Sequence, residues 1–92
     1  MSDKQLHVFI SGMVQGVGFR YFVEKKAFPL GITGFVRNLA DGRVEVLAEG
    51  NELTLKRFLE MVKQGPSFSH VTEADVEWGE ATGRYESFNI TY

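Results

Sequence analysis

Cysteine is absent from the sequence, which excludes disulfides, thiolate metal sites and cysteine nucleophiles together. Proline occurs only twice, as Pro29 and Pro66, and both stand where a helical pattern stops. No apolar run approaches the roughly 20 residues needed to cross a bilayer. The N-terminus shows no apolar core of a signal peptide, so a cytoplasmic protein with no membrane partner is expected. Neither sign of charge dominates, with 10 Lys and Arg against 12 Asp and Glu and a net charge of −2. The surface as a whole therefore carries no basic footprint for nucleic acid, and an anionic ligand must be drawn in by local positive charge. Asp, Glu and His form no cluster at metal-ligand spacing. There is no usable internal repeat, low-complexity segment or linker.

What is present is enough for one domain. The 92 residues are 43% hydrophobic, with eight Phe, three Tyr and one Trp, which suits a compact core without staples. A single domain spanning residues 1–92 is expected. Met1 to Gln5 is polar and expected to fray. Leu6 to Met13 reads as a strand whose faces are not cleanly polar and apolar, as in a central strand covered on both sides. From Phe19 the period changes: Phe19, Phe22, Val23, Ala27 and Leu30 recur at near-helical spacing, with Pro29 and Gly31 marking the exit. Ile32 to Leu39 and Arg43 to Glu49 read as strands joined by the turn Ala40-Asp41-Gly42. Asn51 caps a second helix with the stripe Leu55, Phe58, Leu59 and Val62, stopped at Gly65-Pro66. Thr72 to Trp78 alternates Ala74, Val76 and Trp78 with Glu73, Asp75 and Glu77, a half-buried strand with an acidic outer face. After a turn over Glu80 to Arg84, Tyr85 to Tyr92 alternates again as a last short strand. The order is β-α-β-β-α-β plus a final strand. It predicts an α/β (α+β) two-layer sandwich of ferredoxin-like type, an antiparallel sheet with two helices on one face.

Two stretches can carry chemistry. The first runs from Gly12 to Arg20, between strand and helix. Its glycines permit positive φ and close approach of backbone to ligand. Consecutive N–H groups there can converge into an anion nest, reinforced by the first turn of the helix. Arg20 adds a permanent forked charge that fits two phosphate oxygens. Taken alone, the stretch reads equally as a plain strand-to-helix turn with a solvated arginine. The second stretch, Gly34 to Gly42, places Asn38 at the end of a strand just before a tight hairpin. Taken alone, Asn38 reads as turn chemistry.

Together the two stretches resemble the acylphosphatase family. The family pattern Gly-x-Val-Gln-Gly-Val-x-Phe/Tyr-Arg is matched by Gly12, Val14, Gln15, Gly16, Val17, Phe19 and Arg20. The pattern Gly-Phe/Tyr/Trp-Ala/Val/Cys-x-Asn-x-x-x-Gly-x-Val is matched by Gly34, Phe35, Val36, Asn38, Gly42 and Val44, with Gly50 also in place. The resemblance extends over essentially the whole chain, including the ending Phe88-x-Ile90-x-Tyr92. Pro29 departs from it and touches no site residue. The resemblance implies hydrolysis of small-molecule acyl phosphates to a carboxylate and inorganic phosphate, with phosphate as product and inhibitor. It implies that Arg20 binds the phosphoryl group together with the loop N–H groups of Gln15, Gly16, Val17, Gly18, Phe19 and Arg20, and that Asn38 holds the attacking water.

The chemistry agrees. Phosphoryl transfer passes through a loose, charge-spread state, so positioning and charge stabilisation suffice. A carboxylate leaving group, whose conjugate acid has a pKa of roughly 4, needs no general acid. No cofactor or metal is expected, and the chain is expected to act as a monomer. A cysteine phosphatase would place its nucleophile at Val14, five residues before the segment that closes on Arg20, so water must attack directly. His7 and His70 are possible bases, but a structural or solvent-exposed role fits each better. Two other readings share the fold class. An RNA-binding module of RRM type is opposed by the absence of an aromatic platform on Arg43 to Glu49. A binding-only regulatory domain belongs to longer chains, whereas this chain is expected to be complete in itself.

Overall fold

The computed structural model describes residues 3–92. The elements are β1 (Lys4–Met13), α1 (Phe19–Ala27), a short 3-10 turn (Phe28–Leu30), β2 (Thr33–Asn38), β3 (Val44–Gly50), α2 (Glu52–Gln64), β4 (His70–Glu80) and β5 (Phe88–Ile90). They build one five-stranded sheet in the order β4-β1-β3-β2-β5, with both helices packed against it. This is the expected ferredoxin-like sandwich with one difference. The sheet is mixed, because β5 joins the edge of β2 in parallel while the other pairs are antiparallel.

The helical side holds the core. Leu6, Val8 and Ile10 of β1 and Val44, Val46 and Ala48 of β3 are fully buried under Phe19, Val23, Ala27, Leu55, Phe58 and Val62. Each large side chain removed from water in this way contributes about 1.5–3 kcal/mol. The periodicity of α2 appears as expected, and Asn51 caps it by accepting from the Leu53 N–H at 2.9 Å and the Thr54 N–H at 3.4 Å. Helix α1 stops at Ala27, and the Pro29 turn exits through Gly31 in the left-handed conformation. Among the described residues no helix is long and apolar enough to cross a membrane.

Several expectations need correction. Met1 and Ser2 of the expected frayed segment lie outside the described residues, but strand pairing already begins at Lys4, opposite Gly50 and Glu80. Strand β1 lies inside the sheet between β4 and β3, yet only one of its faces is covered by helices. Its other face is shielded by side chains of the sheet itself, with His7 and Phe9 half-buried beside the buried Glu45. Strand β4 runs longer than Thr72 to Trp78, because β1 pairs with it along its whole length. Tyr85 to Ser87 are not in β5; they end a connection that must carry the chain from one sheet edge to the other. That connection is tied down by Glu49, whose buried carboxylate accepts from the Thr82 N–H, the Thr82 hydroxyl, the Gly83 N–H and the Gln5 amide. Burial alone would push the Glu49 carboxyl up, but these donors together hold it below its ordinary pKa.

Candidate active site

Strand β1 delivers the chain to the site through a local irregularity. The β1–β4 register shifts between Ser11 and Gly12, and Gly12 has φ 122°. A Cβ there would collide with the His70 carbonyl oxygen, so only glycine lets the two strands stay paired at this point. The following segment, residues 14–18, turns sharply, with Gly16 at φ 76° and Gly18 at φ 78°. Gly18 is the N-cap of α1 and offers no side chain to its first turn. Among the described residues, no backbone hydrogen bond uses the N–H groups of Gln15, Gly16, Val17 or Gly18. Together with the N–H groups of the first turn of α1, which a helix leaves without intrahelical partners, they are unused donors near the positive end of a helix.

A hollow of about 160 Å³ lies against this loop. Val14, Gly16, Gly18, Phe19 and Arg20 line it on the loop and α1 side, and Asn38 faces it from the end of β2. Tyr21, Ile90 and Tyr92 complete the wall. Arg20 and Asn38, from separate stretches of the sequence, therefore share one cavity. Gln15 and Val17 are beside it and not among its lining residues. His7 and His70 are not part of it either. His7 Nε2 instead pairs with Glu45 at 2.7 Å, and His70 is exposed at the start of β4.

The charged residues of the β2–β3 hairpin are paired. Arg37 pairs with Glu45 at 2.5 Å and Arg43 with Asp41 at 2.8 Å. Burial would raise the Glu45 carboxyl, but His7 and Arg37 outweigh it and keep its pKa low. The Asp41 carboxyl is also held low, first by the Arg43 N–H and then by the Arg43 guanidinium. Arg20 has no carboxylate partner among the described residues. Its guanidinium instead lies over the Tyr92 ring, 4.9 Å from the centroid, a contact that orients the fork and leaves its charge uncompensated. A larger hollow of about 410 Å³ at the far sheet edge is different. There Lys4 and Lys56 are already neutralised by Glu80 at 2.7 Å and Glu52 at 3.2 Å. Of these two hollows, only the smaller is lined by a basic side chain without a carboxylate partner among the described residues.

Gln15 has a role that its place in the motif did not reveal. Its side-chain amide donates to the Leu39 carbonyl at 2.7 Å and the Arg43 carbonyl at 2.9 Å. These two residues close the hairpin that follows Asn38, through the Leu39 N–H and the Arg43 carbonyl at 2.8 Å. Gln15 thus clips the glycine loop to the hairpin and sets the distance between the Arg20 and Asn38 sides of the hollow. Tyr21, Ile90 and Tyr92 were not named as site residues from the sequence. The alternation that places Phe88, Ile90 and Tyr92 on one face is the signal that reaches the last two of them.

Known proteins resemble the chain over nearly its whole length. The family model described as acylphosphatase matches residues 6–90. An acylphosphatase of Archaeoglobus fulgidus is 51% identical over 87 residues, covering 95% of this chain and 97% of that protein. The crystal structure of an acylphosphatase from Bacillus subtilis superposes with a TM-score of 0.93 at 45% identity, covering 97% of this chain and 99% of that one. A structure of an acylphosphatase from Coxiella burnetii gives a TM-score of 0.87 at 36% identity, covering 98% and 94%. With matches this long across sequence and structure alike, the chain belongs to the acylphosphatase family, a family of hydrolases.

Proposed function

We propose that the chain hydrolyses small-molecule acyl phosphates by direct attack of water, with Arg20 and the 15–20 loop holding the phosphoryl group and Asn38 orienting the water. The observation that carries this reading is the shared cavity: Arg20, which has no carboxylate partner among the described residues, the loop residues Gly16 and Gly18, and Asn38 line the same hollow of about 160 Å³. A phosphoryl group fits the first two, since forked charge and converging N–H groups match its oxygens. Asn38 accepts a hydrogen bond from water through Oδ1 and donates through Nδ2, which holds a water without adding negative charge near an anion.

The water oxygen forms a new bond to phosphorus as the bond from phosphorus to the acyl oxygen breaks. The electron pair of the broken bond leaves on the carboxylate. Both protons of the water stay on the product, as dihydrogen phosphate, and then exchange with solvent. A carboxylate is stable enough to depart without a proton, so no general acid is called on. The spread charge of the transition state is met by Arg20 and the loop dipoles, so the reading calls on no metal or cofactor either. The chain acts on this reading as a cytoplasmic monomer and a single domain, with inorganic phosphate as product and competitive inhibitor.

The test is hydrolysis of acetyl phosphate with and without a chelator, together with a phosphate titration followed by amide NMR. Turnover that persists in EDTA, with shifts confined to Gln15 to Arg20, is the expected result. Activity that vanishes in EDTA and returns with a divalent cation, or shifts elsewhere in the chain, would overturn the reading. Arg20→Lys should recover little of the activity lost in Arg20→Ala, because an ammonium cannot reproduce the planar fork.

A further inference from the structure

A second hollow of about 280 Å³ adjoins the first, lined by Tyr21, Glu24, Lys25, Phe28 and Phe88. Tyr21 belongs to the walls of both. Strand β5 also contributes to both, through Ile90 on one side and Phe88 on the other. Tyr21 and Phe28, the helical residue just after α1, are seven residues apart, about two helical turns, which puts them on one face. Both are large and turned to solvent, 62% and 85% exposed, although residues of their type are ordinarily placed inside. The packing of α1 does not require them there, since Phe19, Val23 and Ala27 supply its buried face. The two charged groups of the hollow, Glu24 and Lys25, are of opposite sign, and the Lys25 ammonium sits over the Tyr21 ring at 5.6 Å from its centroid. The hollow therefore offers aromatic surface and no net charge.

We propose that this hollow is the acyl subsite: it takes the organic half of the substrate and favours apolar, aromatic acyl groups over small or anionic ones. The inference rests on the proposed function, because the phosphoryl group must occupy the Arg20 hollow for the acyl group to reach past Tyr21. An aromatic acyl group would lie against Tyr21 and Phe28, with Phe88 as the floor. A two-carbon acyl group would end before reaching Phe28.

The experiment compares kcat/KM for benzoyl phosphate and acetyl phosphate in the unmutated protein, Tyr21→Ala, Phe28→Ala and Phe68→Ala. Phe68 is 84% exposed and belongs to neither hollow, so it controls for loss of any surface aromatic. The benzoyl-to-acetyl ratio is expected to fall about 3- to 10-fold in Tyr21→Ala and in Phe28→Ala, the size of one lost aromatic contact, and to stay constant in Phe68→Ala. An unchanged ratio in Phe28→Ala, with acetyl phosphate still hydrolysed, would overturn the subsite and leave the proposed function standing. A ratio that falls equally in Phe68→Ala would also overturn it. Failure of the unmutated protein to hydrolyse either compound would overturn the proposed function, and the subsite with it.

Discussion

Replacing Gln15 with Met keeps the length and bulk of the side chain but removes both amide donors. The structure sets the size of the loss. The Leu39 carbonyl still accepts from the Gly42 N–H at 3.2 Å, and the Arg43 carbonyl still accepts from the Leu39 N–H at 2.8 Å. Neither oxygen is orphaned, so the penalty for a buried unsatisfied group does not apply. What goes is two net hydrogen bonds at about 1 kcal/mol each, or about 2 kcal/mol in all. For a domain of this size each kcal/mol moves the melting temperature by about 4–8 °C, so a fall of about 8–16 °C is expected. Activity should fall further than stability explains, because the clip also sets the spacing of Arg20 and Asn38. A misplacement on the order of 1 Å can cost about 100-fold in rate. Gln15→Glu should be worse on both counts, since its carboxylate would face two carbonyl oxygens and add charge beside the anion. Thermal unfolding and kcat are measured on the same samples, well below the melting temperature. If Gln15→Met melts within about 2 °C of the unmutated protein and keeps its kcat, the clip is not what joins loop and hairpin.

Two further predictions concern the scaffold. Glu45 has its folded pKa below the ordinary value of 4.5, so it contributes stability above that value and loses it as the pH falls through the folded value. Denaturant midpoints measured from pH 7 to pH 3 should be flat at first and then fall, and the fall should be shallower in Glu45→Gln; identical acid slopes would refute this. Gly34 has φ 138°, and a Cβ there would meet the Leu47 carbonyl of β3, so Gly34→Ala should cost about 3 kcal/mol or more. Gly83, at φ 73° with open space around it, should cost only about 1–2 kcal/mol as Ala; equal denaturant midpoints for the two variants would contradict the close approach.

The helices were legible because each carries a clean apolar stripe and a stop signal, and Asn51 is a good cap in any setting. The hairpin after Asn38 was legible from Gly42 and the alternation on either side of it. The two motif stretches named Arg20 and Asn38, and the fold brings them to one hollow. What could not be read depends on partners far along the chain. Gln15 reaches carbonyls 24 and 28 residues away, and nothing local to the glycine loop shows that its amide points there. Glu49 looks like an ordinary outer-face carboxylate of a strand; it is buried because the connection to β5 folds over it. The parallel pairing of β5 follows from where that connection ends, which a three-residue strand cannot signal. Phe9 and His7 suggested a second covering layer on β1, whereas sheet side chains and the Glu45 ion pairs do that work.

The central claim is a division of labour, with Arg20 and the loop gripping phosphate and Asn38 acting on the water alone. It is tested most directly by measuring kcat for acetyl phosphate and the competitive inhibition constant of inorganic phosphate on Asn38→Ala, with the unfolding midpoint recorded for the same variant. The account predicts a kcat lower by on the order of 10²–10³, the cost of one positioned polar group, with phosphate inhibition nearly unchanged. A kcat that stays intact in the folded fraction while the unfolding midpoint drops would contradict it, and would make Asn38 a turn residue only.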